Sequence, residues 1–137
     1  MSNSKLMLGA AFVAAGTLGA WGIHELDAQQ EKPPFTRTVL QSPDLSLQGR
    51  AAVVARVDFL PGATIGKHTH PGEELGYVLE GTLTLEVEGR PSVTLNAGEV
   101  FFVEAGRVHA GKNGNTPGKV LATYIVEKGK PLAMPAP

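Results

Sequence analysis

Strict alternation is the clearest signal in this chain. In Thr82-Leu83-Thr84-Leu85-Glu86-Val87-Glu88 the leucines and valine share one face and the threonines and glutamates the other. That is the period of a strand with one buried side. Further β-rich runs occur at Arg50–Leu60, with Val53, Val54, Val57 and Phe59, at Leu75–Leu79, at Val93 and Leu95, at Val100–Val103, and at Lys119–Glu127, with Val120, Leu121, Tyr124, Ile125 and Val126. Pro61-Gly62, Glu80-Gly81, Gly89-Arg90-Pro91, Asn96-Ala97-Gly98 and Glu104-Ala105-Gly106 supply the turns between them,. No helical period and no internal repeat follows residue 35. Short strands joined by Gly and Pro turns at intervals of about ten residues predict an all-β sandwich or barrel. Leu75, Tyr77, Phe101 and Phe102 are expected in its core, and Glu80, Glu86, Glu88 and Lys112 on its solvated surface.

The first 28 residues read differently. Residues 1–5 carry one positive charge, on Lys5, and residues 6–23 carry none. Polar residues return at His24, Glu25, Asp27, Gln29, Gln30 and Glu31. A positive start, an apolar centre and a polar exit are the parts of a secretory signal. Leu26-Asp27-Ala28 offers a cleavage site, although Leu26 fits it poorly. The apolar run also reaches the lower limit for a spanning helix, so an uncleaved membrane anchor is the other reading. Both predict an N-terminal hydrophobic helix and place the remainder outside the cytoplasm, in the periplasm or an equivalent compartment. Glu31-Lys32-Pro33-Pro34 suits neither a helix nor a central strand,. The expected plan is a signal or anchor over 1–28, a linker over 29–35, a folded domain over 36–130 and a C-terminal tail over 131–137.

Composition narrows the function classes. A chain of 137 residues has room for one domain,. Its 12 Lys and Arg balance 13 Asp and Glu, with no basic cluster, so nothing attracts nucleic acid,. At 42% hydrophobic and 18% charged residues it is not disordered in bulk,. The absence of cysteine excludes disulfides, zinc thiolates and cysteine nucleophiles,.

The chemistry is concentrated in histidine. His24 lies at the exit of the apolar segment, and the folded part holds only His68, His70 and His109. His68 and His70 are spaced i, i+2, so on a strand they leave the same face, ~6.6 Å apart. Two imidazoles at that spacing can converge on one ion. Glu74 shares their parity and Glu73 does not, although Pro71-Gly72 intervenes. A further ligand must come from another strand, and His109 is the histidine left. The plain alternative is a histidine pair exposed on an edge strand.

These residues fall into a known pattern. Gly62, five residues, His68, one, His70, three, Glu74, six, Gly81 resembles the first cupin motif. Gly98, five residues, Glu104-Ala105-Gly106, two, His109, three, Asn113 is similar to the second, with Glu104 where proline is usual. The resemblance covers about Phe59 to Asn113. It implies a double-stranded β-helix, a jelly-roll-like barrel, with one metal held by His68, His70, Glu74 and His109. Gly62, Gly81, Gly98 and Gly106 would occupy turns that need positive φ, and Asn113 would hold a turn through its amide. Gly111, where similar cupins often carry a bulky residue, would widen the pocket mouth. Three imidazoles and a carboxylate suit divalent iron, manganese, nickel, copper or zinc, whereas calcium and magnesium prefer oxygen. The resemblance further implies a dioxygenase-like enzyme acting on a small oxygenated molecule, with Glu74 as catalytic base. The other readings are a module that captures a small ligand or metal without turnover, and a purely structural cupin. Thr36–Leu40 would add a strand to a neighbouring copy, giving a homodimer.

Overall fold

The computed structural model describes residues 31–137; the expected N-terminal helix, its cleavage site and His24 lie outside the described residues. The strands are β1 (Phe35–Gln41), β2 (Arg50–Phe59), β3 (Thr64–Thr69), β4 (Gly72–Glu80), β5 (Thr82–Val87), β6 (Val93–Asn96), β7 (Val100–Val103), β8 (His109–Asn113), β9 (Gly118–Glu127) and β10 (Met134–Pro135). They form two antiparallel sheets, ordered β1-β2-β9-β4-β7 and β10-β3-β8-β5-β6. Among the described residues there is no helix.

Alternation builds the core from both sheets. Along β9 every second residue from Gly118 to Val126 is buried, and along β5 the buried residues are Leu83, Leu85 and Val87. Their inward rows meet Ala55, Val57, Phe59, Val78 and Val103 in one apolar cluster. At ~25 cal/mol per Å² of apolar surface, this burial is the main force holding the two sheets face to face. Gly62, Gly81, Gly98 and Gly106 turn the chain at φ of 69°, 74°, 93° and 70°.

Strand β4 reverses part of the expected core. Leu75, Tyr77 and Phe102 are 45%, 43% and 47% exposed. Phe101 alone of the expected four packs on the core. The inward row of β4 is Gly72, Glu74, Gly76 and Val78, so its larger apolar residues must face out,. Gly76 lies opposite Phe101 in the β4–β7 pair, and a Cβ there would run into the Phe101 ring. A Cβ at Gly72 would strike the Ile125 carbonyl on β9. Small residues on this row therefore leave room for an aromatic ring, for a closely packed neighbouring strand and for Glu74 itself.

Two terminal segments complete the sheets. The stretch around Thr36–Leu40, expected to add a strand to a neighbouring sheet, lies in β1 at the edge of the first sheet and pairs with β2 of its own chain, from Phe35↔Phe59 to Val39↔Ala55. The stretch 131–137, expected as a tail beyond the domain, contributes β10, whose Met134 and Pro135 pair with Thr69 and His68.

Candidate metal centre

The four expected ligands come from three places. His68 on β3 and His109 on β8 are direct partners in the second sheet. Glu74 projects from β4 in the first sheet, flanked in register by Tyr124 on β9 and Val103 on β7. His70 sits just past the end of β3, where the chain crosses from one sheet to the other. All four are buried, His70 at 2% exposure. One ligand atom from each lies within 4.8 Å of the others. The edge-strand alternative fails, since all three domain histidines turn inward.

Each imidazole is aimed by a backbone carbonyl. Nδ1 of His68 donates to Gly66 O at 2.8 Å, that of His70 to Leu132 O at 2.6 Å, and that of His109 to Arg107 O at 2.9 Å. A carbonyl can only accept, so every Nδ1 carries a proton, and in the neutral ring Nε2 is the atom left with a lone pair. This arrangement commonly orients metal-binding histidines. Nε2 of His109 lies 3.0 Å and Nε2 of His70 3.2 Å from Glu74 Oε2. The His70 Nε2 is nonetheless a buried atom without a hydrogen-bond partner. Buried polar atoms are rarely left so, and a cation beside it would satisfy this one. The donor set thus fits a metal ion.

The site's electrostatics favour the ligating forms of His68 and Glu74. Burial lowers His68 to about 4, so it is neutral over the physiological range,. Burial alone would raise Glu74, but the His109 and His70 rings against its carboxylate outweigh it and hold the carboxyl down at about 2. His109 shows the converse balance: burial opposes its protonation, yet the Glu74 carboxylate and the Arg107 carbonyl raise it. Tyr124, 1% exposed with its ring 4.7 Å from that of His70, is pushed up by burial and then by the Glu74 charge.

Around these groups lies a cavity of about 40 Å³, walled by Phe59, Ile65, Leu83, Leu85 and Phe101. Gly111 on β8 lines it too, and a Cβ there would come within 3.3 Å of Leu83 Cδ1. The Glu104 that replaces the usual proline keeps its turn, closed by Arg107 N–H donating to Glu104 O at 3.1 Å, and its carboxylate pairs with Arg90. Asn113 holds its turn as expected, donating from Nδ2 to Leu60 O at 2.9 Å and Thr116 O at 2.7 Å.

Sequence reasoning missed three contributors. Leu132 acts through its backbone, which no side-chain pattern can reveal. Tyr124 reads as one more core aromatic, although the alternation of β9 gives it an inward parity. Arg37 lines the cavity from β1; its signal was a charged residue amid the β-rich stretch Thr36–Leu40.

The chain matches the family described as Cupin domain over residues 55–124, about half its length. It is 35% identical over 83 residues to the oxalate-binding protein of Thermotoga maritima, a match covering 59% of this chain and 68% of that one. Among solved structures it is similar to KdgF from Halomonas sp., with a TM-score of 0.60 and 21% identity over 73% of this chain and 87% of that one, a likeness of fold alone. It is also similar to a recombinant oxalate oxidase in complex with glycolate, with a TM-score of 0.61 and 25% identity over 77% of this chain and 57% of that one.

Proposed function

The chain belongs to the cupin family, and from that premise we propose that it is an exported, mononuclear metal-dependent enzyme of dioxygenase-like chemistry acting on a small oxygenated molecule. The observation that carries this reading is the convergence of three carbonyl-anchored imidazoles and an ionised carboxylate, with His68, His109 and Glu74 lining an apolar-walled cavity. A divalent iron, manganese, nickel, copper or zinc ion held by His68, His70, Glu74 and His109 would supply Lewis-acid polarisation and, zinc excepted, one-electron chemistry.

The chain's own residues supply the rest. The three Nδ1–H bonds fix the ring planes before anything binds, so little reorganisation remains. Glu74, held ionised, is a ligand and, among the described residues, the one carboxylate placed to accept a proton inside the cavity. Tyr124 stays protonated beside it and has a hydroxyl to donate. The walls of Phe59, Ile65, Leu83 and Leu85 keep water out and so strengthen each polar interaction within,.

One observation favours the second reading, capture of a small ligand without turnover. A carboxyl held at about 2 is far from the neutral range where general bases work best,. The name of the Thermotoga maritima relative points the same way. Oxygen uptake and product formation with a panel of catechols, diketones and small hydroxy acids separate the two. The enzyme reading predicts metal-dependent turnover that Glu74→Gln lowers at least ~100-fold; a panel with none leaves the binding reading. The proposal includes export behind residues 6–23 and a homodimer. Cell fractionation and sedimentation of the full chain test these, and a cytoplasmic monomer would contradict both.

A further inference from the structure

Arg37 is a cation on an otherwise apolar stretch of inner wall. It lies opposite Val57 on β2, whose side chain is core, so both face inward,. Val57 is in register with Val120, and Val120 with Val78, both buried. Two rows further along the same face, Val53, Tyr124 and Glu74 are in register. The row between is Ala55, Ala122 and Gly76; the Phe101 ring covers Gly76, and beside it the short side chain of Ala122 lines the cavity. The Arg37 side chain extends toward that space: its Cζ lies 5.6 Å from the centroid of the Tyr124 ring.

The guanidinium is under-used by the protein. Its Nε is buried without a hydrogen-bond partner. No carboxylate among the described residues lies within ion-pair distance of it. The Tyr124 ring provides a cation–π contact and its hydroxyl is a neighbour of the guanidinium, which still leaves the buried Nε–H donor without an acceptor,. An unpaired charge in a largely apolar wall is costly unless something else completes it. The planar fork of an arginine matches a carboxylate.

We propose that Arg37 is a substrate-binding residue that selects a small carboxylate, with an oxygen on the adjacent carbon, for the cavity it shares with His68, Glu74 and His109. This rests on the metal-dependent reading above and names its substrate class. The cavity of about 40 Å³ has space for roughly three water-sized groups,, which favours two- or three-carbon acids over aromatic rings. The Glu74 carboxylate repels a second anion, so the substrate's carboxylate belongs at the Arg37 end and its neighbouring oxygen at the histidine end.

The test is calorimetric binding of glycolate and of its neutral isostere glycolamide to the full chain, with metal content measured on the same samples. Arg37→Met should weaken glycolate binding by about 10- to 100-fold, the loss of one charge-assisted pair, weaken glycolamide binding far less, and leave metal content unchanged. Arg37→Lys should restore only part, because lysine keeps the charge and loses the fork. A structural role confined to the Tyr124 contact would lower Tm and weaken both ligands alike, which overturns the proposal. Equal glycolate binding by wild type and Arg37→Met overturns it too, as does a wild type that does not prefer glycolate. Wild-type protein without metal would sink the metal-dependent reading alone, since the glycolate preference and its loss are still read on that sample.

Discussion

At the scale of single residues, the site is set by which atom of each group carries a proton. Three carbonyls fix three Nδ1 protons, and burial fixes His68 as neutral. This makes the metal-free protein sensitive to acid. Unfolded, His68 takes up its proton near 6.5; folded, it resists until about 4. The unfolded state therefore binds more protons between those values, and stability falls as pH drops through that window. Glu74 adds a second stabilising contribution, present in full above about 4.5 and lost as pH falls toward about 2. His109 runs the other way: its raised value contributes stability below 6.5 that is lost as pH rises through the folded value. Melting temperature of chelator-treated protein should therefore fall from pH 6.5 to 4, with a shallower slope in His68→Gln. Parallel slopes would contradict the assignment to His68. Metal affinity should weaken across the same window, because the ion competes with protons for the Nε2 lone pairs.

At the scale of elements, the strands rich in Val, Leu and Phe were legible in the sequence and those built from other residues were not. Strand β5 alternates so strictly that its buried face could be named directly, and β2, β6, β7 and β9 lie where their β-branched and aromatic runs predict. Strand β8, His-Ala-Gly-Lys-Asn, and β10, Met-Pro, carry almost no such residues and form because neighbouring strands present free edges. On β4 the rule that large apolar residues point inward failed at Leu75 and Tyr77, since the inner row is reserved for Gly72, Glu74 and Gly76. The convergence of His68, His70, Glu74 and His109 was legible because four side chains with metal affinity sit at fixed spacing; the carbonyls that aim the imidazoles were not. One of those belongs to the C-terminal stretch, which accepts the His70 proton at Leu132 and also donates from Ala136 N–H to Lys67 O at 3.0 Å. Ending the chain after Lys130 should weaken metal affinity by about 10- to 100-fold, the cost of losing an outer partner of a ligand. Competition with a chromogenic chelator reads this directly, and unchanged affinity in a folded truncate would show that His70 needs no such anchor.

At the scale of the whole molecule, two sheets divide the work. The second sheet supplies His68 and His109, the first supplies Glu74, Tyr124 and Arg37, and His70 stands at the crossing between them. The site can exist only when the sheets are packed, so a bound ion would act as a clasp between them and stabilise the fold by mass action. The outer face of the first sheet presents Leu75, Tyr77, Leu79, Val100 and Phe102 to solvent. Such a patch is unusual on a monomer, and the proposed homodimer is a physical reason for it.

Elemental analysis of the purified full chain, set beside a His70→Ala variant, tests the central claim most directly. The account predicts close to one equivalent of iron, manganese, nickel, copper or zinc in the wild type and its loss in the variant. No metal in either protein, even after reconstitution with each of these ions, would contradict it and leave the four converging side chains as scaffold alone.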